Sequence, residues 1–208
     1  MARLATAMCL AMLSTLAAGP AVAATPDAPK SVKTQTIKPA EAGEAPAADA
    51  AETRTEISKD IDALPEPVRR MRERIMEAAR TGDPEAMRKV FESNELPPSL
   101  PESADAGDPV ETLKALSGDQ EGLEILAIIL ELLEAGYAHT GIGTPQEMYV
   151  WPYFAALPFA ALTPEQTVDL YRIITPDDRQ GMEEFGQYVF FRIGIGPDGV
   201  WHFLLTGD

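Results

Sequence analysis

The chain has 208 residues, 33 Asp and Glu against 17 Lys and Arg, a formal charge of −16 and a single cysteine. A chain this acidic repels phosphates and anionic headgroups, which excludes nucleic acid and anionic membrane surfaces as main partners. Cys9 lies in a segment expected to be removed, so the mature chain is expected to offer no disulfide, thiolate nucleophile or cysteine-ligated metal site.

Arg3 supplies a short positive region, and Leu4 to about Leu16 is largely apolar but far shorter than the roughly 20 residues that span a bilayer. Small residues follow in "GPAVAAT". Residues 1–24 are therefore expected to be a signal peptide cleaved near Ala23 or Ala24, leaving a periplasmic or secreted chain with no membrane span. Losing Arg3 takes the formal charge from −16 to −17. Residues 25–62 are rich in Ala, Pro, Thr and charge and hold no aromatic side chain. Such a stretch cannot repay its ordering entropy and reads as a disordered linker.

Residues 63–208, about 146 in number, suit a single domain with its own core. What recurs in it is a helix-start device: an Asp or Thr that can accept from first-turn amides, followed by a proline whose missing N–H costs nothing there. It occurs at Asp83-Pro84, Asp108-Pro109, Thr144-Pro145, Thr163-Pro164 and Thr175-Pro176. In "DPVE", "TPQE" and "TPEQ" a Glu or Gln stands where a capping box needs it. Gly82, Gly118 and Gly136 then close helices predicted near 65–80, 109–117 and 120–135. The last of these, "GLEILAIILELLEAG", is apolar except for Glu121, Glu124, Glu131 and Glu134, and reads as the central core helix. In the first, Val68, Met71, Ile75 and Ala79 point inward, while Arg69, Arg70, Arg72 and Arg74 read as its solvated side, pairing with the acidic body, with a local anion-binding face as the alternative.

The period changes near the C-terminus. Residues 187–195 and 200–206 are β-rich and joined by "GPDG", where proline second and glycine fourth suit a type I turn. The predicted hairpin, 187–206, must pack on helices because a lone hairpin is marginal in water. Phe191, Ile193, Trp201, Phe203 and Leu205 are its expected buried side. The fold class is thus α+β: short capped helices around the 120–135 helix, with a C-terminal hairpin.

Charge is unevenly spread. Residues 63–89 hold seven Arg or Lys and five Asp or Glu, whereas residues 90–208 hold four and twenty. Catalytic patterns are sparse. His139 and His202 are the only imidazoles, and no serine stands in a "GxSxG" setting that would build a nucleophile and oxyanion hole. His139, Glu147 and His202 lack zinc-hydrolase spacing. "GIGPDG" is followed by no helix that would present amides to a phosphate, and Gly141-Ile142-Gly143 lacks a third glycine. No cofactor is called for.

Attention therefore falls on "GYAHTGIGTPQEMYVWPYFA", residues 136–155. Gly136 ends one helix, Thr144-Pro145 begins another, and Glu147 completes its cap. Trp151-Pro152 breaks that helix and turns successive rings in different directions. Tyr149, Trp151 and Tyr153 are thereby expected to leave an aromatic surface, since each pairs a rigid apolar face with a polar tip. The competing arrangement puts Trp151 and Phe154 in the core beneath the hairpin, with the tyrosines at its edge.

At "GTPQEMYVWPYFAALPFAALTPEQ" and "FGQYVFFRIGIGPDGVWHFLLTGD" the chain resembles a group of small uncharacterised secreted proteins of alphaproteobacteria, over about residues 64–208. The resemblance implies a compact exported domain and brings no activity or functional residue with it. Taken together, the chain is expected to be an exported binding or accessory module of the cell envelope. Tyr149, Trp151 and Tyr153 would stack on an envelope protein, a peptide or a peptidoglycan fragment, with His139 and Glu147 at the rim and His202 reaching in from the hairpin. The alternative is an envelope glycan hydrolase with Glu147 as general acid or base.

Overall fold

The computed structural model describes residues 54–101 and 107–207. The expected signal peptide and most of the expected linker lie outside the described residues. The remainder of that linker does not: Glu56–Ser58 forms strand β1. Its composition conceals this, because one apolar residue, Ile57, is too little for a pattern and the pairing that makes it a strand comes from elsewhere in the chain.

After β1 come helices α1 (Glu66–Arg80), α2 (Ala86–Ser93), α3 (Pro109–Ala115) and α4 (Leu123–Glu134), then strands β2 (Tyr137–Thr140) and β3 (Met148–Trp151). Two 3-10 turns, Tyr153–Ala156 and Phe159–Ala161, lead into α5 (Pro164–Leu170) and α6 (Pro176–Phe185), and the chain closes with β4 (Phe191–Ile195) and β5 (Trp201–Thr206). Among the described residues the fold is mixed α+β, with six α-helices and a five-stranded antiparallel sheet in the order β1-β2-β3-β4-β5. The last two strands pair with each other, yet they are one end of this sheet and not a separate hairpin.

The helix at "TPQE" does not form. Thr144 donates its amide and hydroxyl to the Gly141 carbonyl, and the Glu147 amide reaches the Thr144 carbonyl at 3.1 Å, so one helix-like turn is made. It then stops, because Tyr149, Val150 and Trp151 are aromatic or β-branched and alternate between sheet faces. The cap signal serves instead as the β2–β3 turn. Gly141, at φ +63°, is needed there: a Cβ would meet the Gln146 carbonyl oxygen at 2.6 Å.

The other caps follow their signals more closely. Asp108 accepts from the Val110 amide at the head of α3. Full capping boxes close at Thr163 with Gln166 and at Thr175 with Asp178, an aspartate doing the glutamate's work in the second. At "DPEA" the Asp83 carboxylate accepts from the Glu85 amide, one turn ahead of α2.

Helix α4 has no such box, and its start is held by the loop before it. The Asp119 carboxylate accepts from the amides of Gly122, Leu123 and Glu124, while the buried Ser117 hydroxyl accepts from Ile125 at 3.1 Å and donates to Asp119 at 2.6 Å. Four amides that a helix start leaves without partners are thus satisfied. The Ser117 hydroxyl bond, opposed by desolvation and reinforced by the three amides, holds the Asp119 carboxyl below its ordinary range.

Val68, Met71, Ile75 and Ala79 of α1 are buried in line with its 3.6-residue period. Arg72 is not on the solvated side. Its Nε and Nη2 both donate to the Leu133 carbonyl, at 3.1 and 2.9 Å, tying α1 to the C-terminal turn of α4 where carbonyls lack helix partners. These helices cover one face of the sheet in a cluster that includes Tyr137, Tyr149, Trp151, Ile193, Ile195, Trp201 and Leu204. A second cluster gathers Ala138, Tyr153, Phe154, Phe159, Leu170, Ile174, Met182 and Tyr188.

A bulge shapes the last strand. Gly194 faces Phe203 but Ile195 faces Trp201, so His202 is the extra residue. Trp201 and Leu204, three apart, therefore both enter the core, whereas Phe203 and Leu205, expected there, are only half-buried. Phe203 lies over Gly194, where a Cβ would meet its ring at 2.3 Å. Replacing Ser117 by alanine leaves the buried Ile125 amide without its acceptor. It is expected to lower the unfolding free energy by about 1–2 kcal/mol, read as a shifted urea midpoint with an unchanged far-UV spectrum.

Candidate functional site

The expected site residues do not form one site. Tyr149, Trp151 and Tyr153 retain only 6%, 0% and 3% of their surface, so the described structure has no open aromatic shelf at 149–153. The cause is the sheet: residues 149 and 151 share the face that the helices cover, which strand alternation dictates once this segment is a strand. Tyr153 follows the cis Trp151–Pro152 bond and packs in the second cluster. His202 is exposed on β5, beside the Gly196–Gly199 turn. Two strands separate it from β2, about 14 Å at ordinary strand spacing, so it does not join His139.

His139 and Glu147 do meet. They lie on β2 and just before β3, and the His139 Nε2 stands 2.9 Å from the Glu147 Oε1. The imidazole lies flat on Tyr149, its cross-strand partner, with ring centroids 4.2 Å apart and planes 12° apart. The other carboxylate oxygen accepts the Gly143 amide at 2.9 Å. That amide bond first, and His139 second, outweigh desolvation and hold the Glu147 carboxyl below its ordinary range. A glycosidase general acid needs the opposite shift, a carboxyl kept protonated near neutrality. What the geometry provides is an ionised carboxylate that closes the β2–β3 turn and orients a half-buried histidine. Among the described residues no three His, Cys, Asp or Glu side chains are placed to hold a metal ion.

A second constellation lies on the other face of the sheet, at the β1 edge. Lys59 Nζ meets Asp169 Oδ2 at 2.5 Å, and the Tyr153 hydroxyl donates to the same oxygen at 2.7 Å. The Lys59 ammonium also sits 5.7 Å from the centre of the Tyr153 ring, within cation–π range. Burial acts to raise the Asp169 carboxyl, but Lys59 and Tyr153 outweigh it and the net shift is downward. Burial, and then the bond to Asp169, push the Tyr153 phenol far above its ordinary range. These groups, with Ile57, Ser58, Glu165 and Gln166, line a cleft of about 240 Å³ between β1 and α5.

No family model matches the chain, and no curated protein or solved structure matches it.

Of the residues singled out in the sequence, only Tyr153 belongs to this cleft. Lys59 was hidden in a segment read as linker, and Asp169 in a capped helix rich in other acids. No local sequence signal marks them, because the pairing of "EIS" with "YAHT" that brings Lys59 to α5 is set by residues distant in the chain.

The Glu147 shift fixes a sign. A carboxyl that titrates lower in the folded than in the unfolded chain adds stability above its ordinary value of 4.5 and loses that stability as pH falls through the folded value. The urea-midpoint difference between wild type and Glu147→Gln is expected to be fully developed near neutral pH and to shrink on acidification below that value. A difference that grows with acid would contradict the geometry.

Proposed function

We propose that the chain is an exported binding or accessory module of the cell envelope. On this reading residues 1–24 are removed near Ala23 or Ala24, and the domain acts in the periplasm or outside the cell without breaking bonds. The signal-like N-terminus supports export. Among the described residues no helix is long and apolar enough to cross a membrane.

The cleft between β1 and α5 carries the proposal of binding. It combines an apolar wall, Ile57, that is 45% exposed, with a Lys59–Asp169–Tyr153 group whose bonds are already in place. Preset polar groups beside exposed apolar surface are what small recognition sites use. A peptide or protein segment suits this cleft better than a glycan, because the rings that would stack on a sugar are buried. Glycan cleavage by Glu147 is the weaker reading, since a carboxyl held ionised does not suit a general acid, and as a base it is already bonded through both oxygens, to His139 and to the Gly143 amide.

The test is site-specific photo-crosslinking in the native host. A benzophenone amino acid at Glu165, in the cleft, is expected to give a discrete adduct, and the same probe at the exposed Glu77 of α1 is not. Equal adducts at both positions, or none at either, would contradict binding at the cleft. Peptidoglycan turnover by wild type that is abolished in a folded Glu147→Gln variant would favour the hydrolase instead.

A further inference from the structure

The two edges of the sheet differ. Outside β5, Ser99 makes a parallel bridge to Phe203: its amide donates to the His202 carbonyl at 2.8 Å and its carbonyl accepts the Leu204 amide at 2.9 Å. Strand β1, by contrast, pairs among the described residues on one side only, with β2. An edge strand with a free side is a template for another extended chain.

The cleft opens along that same edge. Ile57 and Lys59 alternate onto its face, and α5 forms the opposite wall with Glu165 and Asp169, one helical turn apart. The wall therefore carries two carboxylates against one ammonium. Lys59 and Tyr153 both use Asp169 Oδ2. A carboxylate offers about four lone-pair sites across its two oxygens, so Asp169 can accept a further donor. The volume of about 240 Å³ suits one long side chain, not a drug-sized ligand.

Strand β1 itself shows which chemistry the cleft reads. It is an extended segment laid antiparallel on the sheet, with an apolar residue and, two positions on, a lysine that crosses to α5. We propose that the free edge of β1 accepts a partner's extended segment as a sixth strand, and that a lysine or arginine side chain of that segment enters the cleft and is held by Glu165 and Asp169. Main-chain bonds supply affinity in this mode and the alternate side chains supply choice. Arg54 and Glu56, which pair with each other beside the edge, set its polar rim. This inference rests on the cleft being the binding surface.

The probe is a fluorescein-labelled, acetylated hexapeptide of alternating threonine and valine carrying one lysine, titrated with the mature chain and read by anisotropy. Two companions carry glutamate in place of the lysine, or N-methyl groups on alternate backbone amides. The lysine peptide is expected to bind about tenfold or more tightly than the glutamate peptide, with affinity falling as salt rises. Glu165→Gln, on an exposed side chain that leaves the fold intact by circular dichroism, is expected to weaken the lysine peptide several-fold. The N-methylated lysine peptide, which cannot extend the sheet, is expected not to bind. Equal affinity for the lysine and glutamate peptides, binding that survives N-methylation, or no binding by any peptide would overturn the proposal. A discrete Glu165 crosslink alongside such a result would leave the cleft as a binding surface with a partner of different chemistry.

Discussion

The structure depends on one face of the sheet being shut against helices by large rings. Tyr137 lies 5.7 Å from Tyr149 and 5.6 Å from Trp151, ring centre to ring centre, and Ile193 and Ile195 continue these rows on β4. Val68 and Ile75 of α1 and Ile125, Ile129, Leu132 and Leu133 of α4 close over them, each fully buried. Trp151 shows what this layer needs. Its indole N–H is buried with no acceptor among the described residues, a cost set against the area of the ring, whereas the Trp201 indole donates to the Phe203 carbonyl at 2.8 Å.

This layer decides what the rest of the molecule can offer to a partner. Strand alternation puts His139 in the same rows as Tyr149, so the imidazole stacks on a buried ring and its remaining bond goes to the carboxylate that closes the turn. Both oxygens of that carboxylate are thus already bonded, one to His139 and one to the Gly143 amide. On the opposite face the side chains of β1 meet α5, and there a lysine, a phenol and a carboxylate meet at the rim of an open cleft. That cleft presents polar groups to solvent, as the ring layer does not.

Much of this was legible in the sequence, and the failures share a cause. Helix α1 could be read from its apolar period, the boxes of α5 and the cap of α3 from their Thr-Pro and Asp-Pro starts, and the last turn from "GPDG", where the Gly199 amide reaches the Gly196 carbonyl at 2.9 Å. Each of these rests on neighbours in sequence. What misled was a local signal overruled by distant partners. "TPQE" makes its turn and then yields to β3, because Tyr149 and Trp151 gain more by pairing with β2 and β4 under the helices than a short helix would return. Residues 56–58 are a strand only because β2 is beside them, and Leu204 replaces Phe203 in the core because of one extra residue in β5. For the same reason the aromatic run stands out in the sequence while Lys59 and Asp169, 110 positions apart, do not.

The burial of the rings holds the fold together and leaves no open stacking surface at residues 149–153. Trp151 and Trp201 are the chain's only two tryptophans, and both are wholly buried, so acrylamide quenching of the native protein reports on this layer directly. The fold predicts weak quenching and blue-shifted emission in the native state, both lost together on urea unfolding. Native quenching as strong as that of the unfolded chain would place a tryptophan at the surface and contradict it.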